Sequence, residues 1–159
     1  MPMNIYFSHS LGRNDSKLFR DVFALAKEYG LEVTFVEGET ASGPVSPAVQ
    51  EAIAKTDLVL AFLSRKGMNL TKVWDEIQFA RKSQKRVLIV AERGLQAKEI
   101  QESRSLIPFD ARYPIDTVKR SVSMVRDLRL KREDAERVKG LVGALVFVKV
   151  LAYFGDYQG

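Results

Sequence analysis

The chain has 159 residues, 46% of them hydrophobic and 28% charged, enough for one core of ordinary size and too few for two typical domains. Cysteine is absent, which excludes a disulfide framework, thiolate metal ligands and a thiol nucleophile, and a reducing cytoplasm is the expected compartment. The formal charge of +5 does not mark a nucleic-acid protein: the surplus gathers at 117–139, where Lys119, Arg120, Arg126, Arg129, Lys131, Arg132, Arg137 and Lys139 outnumber the acids and no aromatic residue interleaves with them for base stacking.

Met3 to Ser8 reads as a short buried strand, and Leu11 to Ser16 as a polar loop. From Lys17 to Tyr29 the apolar positions Leu18, Val22, Leu25 and Tyr29 recur at helical spacing, with Asp15 or Ser16 as a cap and Gly30 as the stop. Leu31 to Val36, rich in β-branched and aromatic residues, predicts a second strand, and Glu37 to Pro47 a glycine and proline loop. A short helix from Pro47 to Lys55 leads into Asp57 to Leu63, the most continuous apolar run of the first half and therefore the expected central strand. Thr71 can cap a helix reaching about Ser83, and Arg86 to Ala91 is the fourth strand. Strands and helices alternating at such short intervals predict right-handed βαβ units and a parallel sheet.

Beyond Glu92 the pattern weakens. Ile107 to Asp110 can form a fifth strand, and Ile115, Val118, Val122, Val125 and Leu128 mark another amphipathic helix. The final segment begins charged at Glu133 and becomes apolar on every side from Leu141 to Phe154, broken only by Gly143 and Lys149. That run is too short to span a bilayer, which wants roughly 18 or more apolar residues. A helix apolar on all sides needs more cover than one sheet face supplies, so Leu141 to Phe154 is expected to mediate self-association, with burial in the chain's own domain as the alternative.

In open parallel sheets ligands bind outside the carboxyl ends of the strands, where loops diverge and helix N-termini point free N–H groups. That rule selects Ser8, His9 and Ser10 after the first strand, the loop from Glu37 to Gly43 after the second, Ser64 and Arg65 after the third, the helix start at Thr71 to Glu76, and Glu92 and Arg93 after the fourth. At 100° per residue, Val73, Ile77 and Ala80 fall within about 60° of one another and form the core-facing stripe, with Glu76 about 40° to one side and Asp75 on the solvated face. A carboxylate beside the core can be tuned as nucleophile or base, although the same spacing also suits a surface glutamate. His9 is the only histidine, so neither a histidine-rich metal site nor a Ser-His-Asp triad is expected. The loop at 37–47 holds no Gly-x-Gly-x-x-Gly and no Gly-Lys-Ser, which removes the dinucleotide fingerprint and the P-loop.

These residues resemble the Toll/interleukin-1 receptor (TIR) domain in its small prokaryotic form. Ile5-Tyr6-Phe7-Ser8-His9-Ser10 is similar to the family's first box, Gly43-Pro44 through Val49 to Ile53 to its second loop and short helix, and Leu58 to Ser64 to its third strand. Val73-Trp74-Asp75-Glu76-Ile77 with Ala80 is similar to its tryptophan and glutamate helix, and Val87 to Glu92 to its fourth strand. Ala41-Ser42 stands where the family has Arg-Asp, and Val73 where it has serine before the tryptophan.

The resemblance covers roughly residues 3–95 of a single domain at 1–159, with a helical extension at about 115–155. It implies a three-layer, flavodoxin-like parallel sheet of four to five strands with extra C-terminal helices. It further implies cleavage of the nicotinamide-ribose bond of NAD, with Glu76 as the catalytic carboxylate, NAD as substrate, neither cofactor nor metal, and a part in prokaryotic immune or stress signalling. Phe7, Ser8, His9, Ser10, Ser64, Arg65 and Trp74 are the expected substrate contacts. Two other readings stay open: a nucleoside 2-deoxyribosyltransferase-like enzyme, whose Asp-x-Gly-Thr run is replaced here by Asn69-Leu70-Thr71-Lys72, and a noncatalytic module that assembles with copies of itself.

Overall fold

The apolar runs become the strands of one sheet. The computed structural model describes the backbone at residues 3–9, 13–36, 45–63, 70–92, 106–109, 125–126 and 128–158. In chain order the elements are β1 (Met3–His9), α1 (Arg13–Glu28), β2 (Leu31–Thr34), α2 (Pro47–Ala54), β3 (Leu58–Leu63), α3 (Leu70–Lys82), β4 (Arg86–Glu92), β5 (Leu106–Phe109) and α4 (Arg132–Gln158). The helix expected at Ile115 to Leu128 falls mostly outside the described residues, of which Val125 and Arg126 are helical.

The strands pair in the order β2-β1-β3-β4-β5, and each of the four pairings is parallel. This is the flavodoxin-like order. β3 lies centrally, with all six of its residues buried, as its unbroken apolar run requires of a strand covered on both faces. Alternation along the strands then sorts side chains between two helical layers. Met3, Ile5 and Phe7 of β1 join Leu58, Leu60 and Phe62 of β3 against α1 and α4, whereas Tyr6, Val59, Ala61 and Leu63 face Val49 and Ile53 of α2 and Val73, Ile77 and Ala80 of α3.

Local chemistry sets the helix ends. Gly30, at φ +86°, turns the chain from α1 into β2, and its N–H donates to the Lys27 carbonyl at 3.1 Å. A Cβ at this position would also stand 3.0 Å from the Arg137 guanidinium carbon, so the glycine serves both the turn and the approach of α4. Ser46 caps α2, its hydroxyl accepting the Val49 N–H at 3.3 Å, and Pro47 follows in the first turn, where its missing N–H costs nothing. Two expected caps fall inside their helices instead. α1 begins at Arg13, ahead of Asp15 and Ser16, and α3 begins at Leu70, one residue ahead of Thr71.

The C-terminal helix is covered by its own chain over much of the expected self-association segment. Val138, Leu141, Val142, Leu145 and Val146 are 0–3% exposed and share a core with Phe19, Val22 and Phe23 of α1. One stripe of α4 is thereby used within the fold, because α1 and α4 together roof the sheet face that α1 alone leaves open. Phe147 remains 50% exposed on the opposite side, and the side chain of Lys149, expected to mark the rim of a contact, lies outside the described residues. Among the described residues no helix is long and apolar enough to cross a membrane.

Candidate active site

The strand order places the topological switch point between β1 and β3, since the chain leaves β1 toward β2 on one side and later enters β3 on the other. Around the carboxyl ends of these two strands stand Ser8 and His9 of β1, Leu63 of β3 and the first turns of α3. The connections 37–44 and 64–69 that border this edge lie outside the described residues, and with them Ser64 and Arg65; Ser10 lies outside them too.

Glu76 is 2% exposed and belongs to the buried stripe of α3 with Val73, Ile77 and Ala80. Its carboxylate meets β1. The Tyr6 hydroxyl donates to Glu76 Oε1 at 2.6 Å across the interface between sheet and helix. Taking a carboxylate out of water is costly unless it is hydrogen-bonded, and a short bond from a phenol to an anionic oxygen is among the stronger kinds. Asp75, one residue earlier and 100° around the helix, is only partly buried.

Tyr6 was not among the residues that sequence reasoning selects. The signal that could have found it is alternation: Tyr6 and Ser8 lie on one face of β1 and Phe7 and His9 on the other. The expected contacts are therefore divided between the two layers. Ser8 is 1% exposed, and its hydroxyl has no hydrogen-bond partner among the described residues. A buried hydroxyl left so is costly, by about 1–3 kcal/mol, which makes Ser8 a polar position retained at some expense to stability. Phe7, 1% exposed, is committed to an aromatic cluster, with ring centroids 5.6 Å from Phe19, 5.0 Å from Phe23 and 6.4 Å from Phe62. Trp74 packs against the α2 and α3 core and is capped by Arg81, whose guanidinium carbon lies 5.7 Å from the ring.

His9 stacks on Phe7 at 5.3 Å and meets the edge of Phe35 at 5.7 Å, on the α1 side. Burial, reinforced by the positive charge of Lys72 on α3, pushes its imidazole down from the ordinary 6.5 to about 4. At neutral pH His9 is therefore an uncharged donor and acceptor rather than a cation, and Lys72 is the positive charge felt at this edge. Because an unfolded histidine takes up its proton near pH 6.5 and the folded one only near 4, the unfolded chain binds more protons in between. Stability should be unaffected by His9 above pH 6.5, fall by up to about 3 kcal/mol as pH drops toward 4, and lose nothing further below. Urea unfolding at pH 7 and pH 4.5 should show His9→Asn losing less than wild type, and equal losses would exonerate His9. Among the described residues no group of three or more histidine, aspartate or glutamate side chains is arranged to hold a metal ion.

No protein-family model and no curated protein matches the chain. Among solved structures it is similar to the TIR domains of the activated Roq1 resistosome that directly recognises the pathogen effector XopQ, at 16% identity and TM-score 0.46, over 92% of this chain and 82% of that one. It is also similar to the CMP N-glycosidase BcmB of Clostridium botulinum, at 17% identity and TM-score 0.46, over 67% of this chain and 87% of that one. A flavone reductase matches at 11% identity and TM-score 0.37, over 92% of this chain and 63% of that one. At such values none of them assigns an activity to this chain.

Proposed function

We propose that the protein cleaves the N-glycosidic bond between nicotinamide and ribose in NAD, as a hydrolase or cyclase, and that it does so in prokaryotic immune or stress signalling. The observation that carries this reading is Glu76, a carboxylate withdrawn from water beneath the β1 and β3 switch point and hydrogen-bonded from the sheet. Nicotinamide leaves with the electron pair of the broken C1′–N bond, which neutralises its pyridinium ring. The ribose left behind is an oxocarbenium-like cation, and a carboxylate poised nearby stabilises or captures it, more strongly where water does not screen the charges. Water then adds at C1′ and releases a proton, giving ADP-ribose, or a nucleophile of the same nucleotide adds and gives a cyclic product. Lys72 and the neutral His9 suit the phosphate and ribose side of such a substrate, and Ser8 offers a buried hydroxyl to a sugar.

Self-association belongs to the same proposal. Phe147 of α4, at 50% exposure, with Leu25 and Tyr29 of α1, at 50% and 65%, are the large apolar side chains that stay exposed among the described residues.

A second reading draws on the same carboxylate, because a base leaving deoxyribose passes through the same kind of cation. Purified protein incubated with NAD and, separately, with deoxynucleosides should release nicotinamide from the first. Release of free base from deoxynucleosides alone transfers the proposal to the deoxyribosyl reading, and release from neither leaves the noncatalytic module.

A further inference from the structure

We infer that Tyr6 is the positioning residue for Glu76, an inference that rests on the N-glycosidic reading of the site. A glutamate on a helix has three rotatable bonds, and a carboxylate that must meet a developing cation gains from having its plane set beforehand. The sheet supplies such a restraint through the Tyr6 hydroxyl. Tyr6 is held from both sides, paired with Thr34 of β2 and Val59 of β3, so its backbone is among the most firmly seated in the molecule. Tyr6 is 2% exposed in the core it shares with Val59, Ala61, Val73 and Ile77, which leaves the phenol little freedom to turn aside. The hydroxyl thus arrives at Glu76 Oε1, 2.6 Å away, from a fixed point. Holding one oxygen sets the plane in which the other lies.

The choice of tyrosine is informative. The core that Tyr6 shares with Val59, Val73 and Ile77 would accept phenylalanine equally, whereas the bond to the Glu76 carboxylate requires the hydroxyl. Tyr6→Phe therefore keeps the packing and removes the bond.

With nicotinamide release as readout, Tyr6→Phe should lower kcat at least tenfold and leave KM for NAD within about twofold. A merely structural tyrosine would reduce the amount of folded protein and leave kcat per folded molecule unchanged. A folded Tyr6→Phe variant with unchanged kcat overturns the inference. A wild type that releases neither nicotinamide nor base sinks the reading of function, and the pairing is then decided by thermal unfolding of Tyr6→Phe, Glu76→Met, which removes the acceptor at similar volume, and the double variant. Non-additive shifts in Tm support the pairing, and additive shifts overturn it.

Discussion

Glu76→Gln should lower nicotinamide release from NAD by about a thousandfold or more, while the variant folds as the wild type does. Two physical facts make the effect large and clean. The amide keeps the shape of the carboxyl group and an oxygen able to accept the Tyr6 hydroxyl, so the interface between β1 and α3 is preserved. It cannot, however, offer a negative charge to an oxocarbenium-like cation, and in a site at 2% exposure no water makes up the loss. Removing one such group typically costs about 10²–10³ in rate, and more where it acts as a nucleophile. Stability should hold or rise, since a buried charge has been exchanged for a neutral group of equal volume. Asp75→Asn is the control: adjacent in sequence but partly exposed and turned away by 100°, it should change kcat less than about twofold. Equal losses from both substitutions would sink the assignment of Glu76.

A chain ending at Lys139 should fail to fold. The truncation removes Leu141, Val142, Leu145 and Val146, each 0–3% exposed in the core shared with α1. At about 1.5–3 kcal/mol for each buried aliphatic side chain, the loss reaches about 6–12 kcal/mol, as large as the whole stability of an ordinary domain. Loss of a cooperative thermal transition is the expected result, and a truncated chain that melts cooperatively near the wild-type Tm would show that α4 contributes little. For the same reason truncation cannot report on self-association, which calls for a surface change instead. Sedimentation of the intact chain should show a dimer that Phe147→Asp weakens without lowering Tm, because that side chain is half exposed. A monomeric intact chain at micromolar concentration would exclude self-association.

The order of strands and helices through β4 was legible in the sequence because each strand is a short apolar run bounded by turn residues, and each helix carries a stripe at three and four. Glu76 was legible as a candidate by its place on that stripe. Its depth was not: about 40° to one side of an apolar stripe can mean a surface carboxylate or a buried one, and what closes over the helix decides. The tail shows the same division, since an apolar circumference demands cover without naming the source.

What the sequence determined by itself is local: periodicity, caps and stops such as Ser46 and Gly30, and the parallel βαβ order that follows from alternating short elements. What the tertiary structure alone decided is which faces meet. The order β2-β1-β3-β4-β5 put the switch point between β1 and β3, and packing of α3 on the even face of β1 brought Tyr6 to Glu76, 70 residues apart in the chain. Alternation along β1 separates Tyr6 from Phe7 in any sheet, yet nothing local to either residue states which helix will cover which face. That depends on the handedness of the crossovers and on the combined apolar surface of both layers, quantities that exist only once the chain has closed on itself.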